Sequence, residues 1–175
     1  DIPGLIPGAA EGAGLGTRFL KHLVRTHLML HIVDMAPFDE DEDPADNVLA
    51  ISDELEAFSP GLAQRERWLV LNKLDLIPEE EREERCQQVI DKLGWEGPVY
   101  KIMAINKQGT FKLSADIMEY IEERRERALE DPEFAQQILD ERELVDAEAR
   151  AHIEMLQERR REERELAKLN QQDDD

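Results

Sequence analysis

The sequence predicts an α/β fold built on a mostly parallel sheet with flanking helices. Two observations carry this: three apolar runs of strand length, and helical periodicity in the segments that separate them. Residues 1–17 are rich in glycine, with Pro3 and Pro7, and read as a loop that turns sharply. Phe19, Leu20, Leu23 and Val24 are spaced for one face of a short helix. The run Leu28-Met29-Leu30-His31-Ile32-Val33-Asp34 is nearly continuously apolar, which suits a strand covered on both faces. A helix over about 45–58 follows, with Leu49, Leu55 and Phe58 on its apolar side. Trp68-Leu69-Val70-Leu71-Asn72 is the second strand, and Val89, Ile90 and Leu93 mark a helix over about 79–93. Val99 to Ala104 is a weaker third strand, after which Leu113, Ile117 and Ile121 recur every four residues in a helix reaching about Leu129.

Pro132 interrupts that helix, and a domain boundary falls at about residue 130. From Phe134 to Leu169 the pattern is one long helix with a narrow apolar stripe of Ile138, Val145, Ala149, Ile153 and Leu156. The stripe is too short and irregular to specify a coiled coil. Residues 131–175 hold 15 acidic and 7 basic side chains and form an acidic helical extension, with disorder expected at Asp173-Asp174-Asp175.

Across 175 residues, 22 Lys and Arg face 42 Asp and Glu, a net charge of −20. That balance excludes a general binder of nucleic-acid backbones, whose affinity rests on clustered cations. At 41% hydrophobic residues the chain can bury a core. A single cysteine, Cys86, excludes an internal disulfide framework and a thiolate zinc site, and fits a reducing cytoplasmic location. No apolar run approaches the roughly 20 residues of a membrane span, so no membrane partner is expected. The first residue is Asp1 rather than Met, which reads as a processed product or a fragment.

The strongest chemical signal is Asn72-Lys73-Leu74-Asp75, directly after the second strand. Ligands of open parallel sheets bind at the carboxyl ends of strands. An Asp there can accept hydrogen bonds from the N1–H and exocyclic amino group of guanine. The stem of Lys73 can lie over the base, and Asn72 can tie neighbouring loops together. Alone, a four-residue pattern is better read as a polar loop. Two further elements accompany it. Asp1-Ile2-Pro3-Gly4 has the form Asp-x-x-Gly of the phosphate end of guanine-nucleotide sites, where the carboxylate reaches Mg²⁺ through a water and the glycine N–H faces the γ-phosphate. Met103-Ala104-Ile105 closes the third strand, where a backbone N–H can meet the guanine carbonyl; strand packing is the competing reading.

With these motifs, Asp1 to Ile6, Gly8 to Gly16 and Phe19 to Leu23 resemble the signature of the Obg (also called CgtA) GTPases, bacterial proteins of large-ribosomal-subunit assembly and stress response. The resemblance runs from Asp1 to about Tyr120. It implies that residues 1–130 are the C-terminal half of a Ras-like P-loop GTPase domain. It further implies binding of GTP and GDP with Mg²⁺ near Asp1, hydrolysis of GTP, and docking of a cytoplasmic monomer on the 50S subunit through rRNA and ribosomal proteins. No glycine of the chain is followed by Lys, so the family's Gly-x-x-x-x-Gly-Lys-Ser/Thr loop is absent, as are its first switch and N-terminal domain. Leu5 stands where Ras-like enzymes place a water-orienting Gln, and Met103 where the family usually has Ser, so no catalytic side chain is assigned. The alternative function is a non-enzymatic acidic interaction protein derived from a GTPase fragment.

Other patterns weigh less. Gly12-x-Gly14-x-Gly16 lacks a preceding strand and the spacing of a dinucleotide fingerprint. His27 and His31 are four apart on a strand, which does not bring them together as ligands. The run Asp39 to Asp43 lacks the spacing of a calcium loop and reads as solvated.

Overall fold

The computed structural model describes residue 23, residues 25–39 and residues 41–173, with side chains to 165. Strand β1 (Met29–Asp34), helices α1 (Pro44–Phe58) and α2 (Pro60–Ala63), strand β2 (Arg67–Asn72), helix α3 (Glu79–Leu93), strand β3 (Val99–Lys101), and helices α4 (Thr110–Glu130) and α5 (Pro132–Asp173) follow in order. The strands form one parallel sheet, β1-β2-β3, with Asp34 opposite Asn72 and Leu71 opposite Lys101. The fold is therefore α/β with a small parallel sheet and a majority of helix, as the alternation of runs predicts.

β2 is the central strand, and its four inner residues Trp68 to Leu71 are all buried. Alternate side chains serve two layers. Val33, Leu69 and Leu71 pack with Ala45 and Val48 of α1 and Cys86 and Val89 of α3, while Trp68 and Val70 pack with Ile102, just past β3, and with Leu113 of α4. Burial also raises the pKa of the Cys86 thiol, which makes it a core group rather than a nucleophile.

Local chemistry sets the element ends. Asp43 caps α1 by accepting from the Ala45 N–H at 2.8 Å, with Pro44 at the first helical position. Lys92 of α3 pairs with both Asp43 and Asp46 at 2.7 Å, so part of the acidic run is structural. Asp131 caps α5 through the Glu133 and Phe134 N–H groups at 3.0 and 3.1 Å, and Pro132 opens that helix. The proline thus marks a start as well as a stop.

Three details differ from the sequence-based expectation. Leu49 and Ile121 were expected on apolar faces but are 42% and 44% exposed; Val48 turns inward in place of Leu49. β3 ends at Lys101, because Met103 donates its N–H to the Gln108 carbonyl at 3.0 Å and the chain folds back. Gly109 makes that return possible. Its φ is +77°, and a Cβ there would lie 2.6 Å from the Lys101 carbonyl oxygen. Finally, the stripe on α5 is core. Val145 and Ala149 are buried against Met29, Leu55, Phe58 and Leu62, with Ile153 packed beside them. Glu148 fastens this contact, accepting from Ser59 Oγ at 2.5 Å and from the Gly61 N–H at 2.9 Å.

His31 shares the inward face of β1 with Met29 and Val33, and burial, followed by the charge of Arg67, lowers its pKa from 6.5 to about 4. The fold favours neutral imidazole, whereas the unfolded chain protonates near 6.5. The resulting stability is present above about pH 6.5 and is lost as pH falls toward 4. Asp43 and Asp116, whose pKa values are pulled below 3.8 chiefly by lysine hydrogen bonds, act at lower pH. Replacing His31 by Gln is expected to flatten the urea midpoint between pH 6.5 and 4.5. An unchanged slope in the variant would contradict this assignment.

Candidate functional site

The carboxyl ends of all three strands meet in one region. Asn72 closes β2, and its Oδ1 accepts the Ala104 N–H at 3.1 Å, joining the turn after β2 to the turn after β3. Its carbonyl accepts the Met35 N–H at 3.1 Å and ties in the exit of β1. The tetrapeptide Asn72 to Asp75 and the triplet Met103 to Ile105 are thus brought together, and Asn72 makes the link between loops that its position suggests.

Lys73 takes a left-handed conformation, φ 66° and ψ 29°, which costs a non-glycine residue roughly 1–2 kcal/mol. The surrounding structure holds it there. Leu74 is buried in the core under the sheet, and the Leu76 and Ile77 N–H groups bond back to the Lys73 and Leu74 carbonyls at 3.0 and 3.2 Å. Leu74 is therefore an anchor that keeps its neighbours at the surface. Asp75 projects from this 3-10 turn, exposed, and its carboxylate accepts from no donor among the described residues.

Lys73 Nζ pairs with Asp34, which also accepts the Ala36 N–H at 3.1 Å. Asp34 received no role from the sequence, although a carboxylate ending a strand beside a strand that ends in Asn-Lys was a usable sign. The pair is half exposed, so it contributes at most about 1 kcal/mol of stability, and its effect is to fix the lysine stem across the strand ends. On the other turn Met103 is buried against the core, Ala104 is exposed with its N–H given to Asn72, and Ile105 is exposed.

No family model matches the chain.

Asp1, Ile2, Pro3 and Gly4, the phosphate-end motif, lie outside the described residues, and with them the one residue assigned to Mg²⁺. Among the described residues no group of three or more His, Cys, Asp or Glu side chains is placed to hold a metal ion. No described helix is long and apolar enough to cross a membrane. What remains is the exposed Asp75 carboxylate, a tethered lysine stem and two turns locked by one amide.

Proposed function

We propose that this chain is the C-terminal half of a Ras-like, Obg-type GTPase domain and that the turns after β2 and β3 form its guanine pocket. The bond from the Ala104 N–H to Asn72 Oδ1 supports the proposal, because it joins the turn that carries Asp75 to the turn after β3. Asp75 accepts from guanine N1–H and the 2-amino group, Lys73 covers one face of the base, and Ile105 lies beside the carbonyl edge. Asp1 would hold Mg²⁺ through a water and the Gly4 N–H would face the γ-phosphate, the metal supplying charge compensation on the phosphates. Hydrolysis of GTP to GDP draws on a phosphate-binding loop that this chain does not contain. In this reading the protein acts in the cytoplasm on assembly of the large ribosomal subunit.

The loop's amide cradle and Lys supply most of a nucleotide site's grip on the β-phosphate. The 175 residues alone are accordingly expected to hydrolyse no GTP and to bind guanine nucleotides weakly. A form extended by the loop is expected to bind fluorescent GDP, displaced by GDP and GTP and not by ADP. Displacement by ADP as readily as by GDP, or tight calorimetric binding to the 175 residues alone, would overturn the proposal.

A further inference from the structure

A cavity of about 280 Å³ lies at the amino ends of β1 and β2, the opposite end of the sheet from the Asn72 and Ala104 turns. Arg25 before β1, Arg65 after α2, Arg124 of α4 and Arg142 of α5 all reach its wall. The carboxylates on that wall are Glu66 and Glu141. Glu66 already accepts from Trp68 Nε1 at 3.0 Å, and Glu141 lies 3.6 Å from Arg124. Four guanidiniums against two carboxylates is the reverse of the chain's composition, whose net charge is −20.

Two observations mark this as an arrangement rather than a chance grouping. Arg65 donates to the carbonyls of Leu23 and Thr26, so one guanidinium is braced by the backbone that leads into β1. Arg124 is held at the wall by the face of the Phe134 ring, 5.3 Å from its guanidinium carbon, and by Glu141 at 3.6 Å.

We propose that this cavity is a binding site for a phosphate group, either the free ion or a small phosphate monoester. Guanidinium forks match phosphate oxygens two at a time, and with Asp146 also acting on Arg65 the cluster keeps a cationic surplus that a bound phosphate offsets. The volume is at the low end of ligand pockets, roughly 300–1,000 Å³, and suits a small anion. This site is separate from the guanine pocket and stands whether or not that reading is correct.

His27 on the same wall provides an independent reporter. Burial and then the charges of Arg124, Arg65 and Arg142 hold its pKa below 6.5. An anion seated among those arginines offsets their repulsion and moves the His27 midpoint upward. Titration of the 175-residue chain with inorganic phosphate, and separately with glycerol phosphate, is expected to show saturable one-to-one binding and a rise in that midpoint by NMR. Tighter binding of glycerol phosphate identifies the ester as the ligand form, and tighter binding of phosphate the free ion. Arg124→Gln is expected to weaken binding at least tenfold. Arg142 is exposed, so Arg142→Gln keeps the fold and serves as the second variant, with a severalfold loss. Absence of saturation with both probes, equal binding of acetate, or unchanged affinity in folded Arg142→Gln would overturn the proposal.

Discussion

Asp75→Asn is expected to weaken GTP binding at least roughly tenfold, about 1.4 kcal/mol, and to improve binding of xanthosine triphosphate, in a form of the protein that carries the proposed phosphate-binding loop. Both oxygens of Asp75 are open at the surface of the 3-10 turn, with no described protein donor to satisfy them. Guanine presents two donors to that edge, and a charged acceptor makes the stronger bonds. Asn presents an NH₂ where one acceptor is needed, which sets donor against donor. Xanthine carries a carbonyl in place of the 2-amino group and accepts from that same NH₂. The substitution is expected to leave the fold unstressed, because the side chain bonds to none of the described residues. Competition between the two nucleotides decides the matter, and an unaltered preference for GTP would mean that Asp75 does not meet the base.

Phe58→Ala is expected to cost about 3–5 kcal/mol of stability, a large part of the 5–15 kcal/mol by which domains are ordinarily held. Phe58 is 1% exposed at the point where β1, α1, α2 and α5 converge, and its ring meets His152 edge to face at 5.3 Å. Truncation leaves a cavity walled by four elements that cannot all relax inward. Phe38, 105% exposed, is the control, and Phe38→Ala is expected to shift stability by less than about 0.5 kcal/mol. Urea unfolding measures both. A loss below 1 kcal/mol at Phe58 would show that α5 does not cover this part of the sheet domain in solution.

How far the sequence reveals this arrangement depends on the range of the interaction. β2 is legible because a central parallel strand is buried on both faces, and the run Trp68 to Leu71 states that directly. The role of Asn72 is legible because a strand-end amide has only adjacent loops within reach. Val48 and Leu49 are adjacent apolar residues, and nothing in a helical pattern decides which turns inward when the sheet packs on it. The stripe on α5 is visible, but its partner is not. Ser59 and Glu148 are polar, distant in sequence, and carry no periodic signature of the contact they make. The arginine-lined cavity is hidden for the same reason, since each of its cations belongs to a different stretch of chain.

The clasp between Ser59 and Glu148 also governs the order in which the molecule is made and undone. It joins positions 89 apart, whereas the strand pair Leu30 and Trp68 is 38 apart. Ring closure becomes more costly with loop length, by about (3/2)RT ln n, so distant contacts are favoured only after nearer ones have shortened the effective path. α5 is therefore expected to dock on a sheet that has already formed, with its fastening absent from the rate-limiting barrier. Glu148→Ala is then expected to accelerate unfolding while leaving the refolding limb of a stopped-flow chevron nearly unchanged. That outcome would place the lifetime of the native state at α5 and the speed of reaching it at the strands.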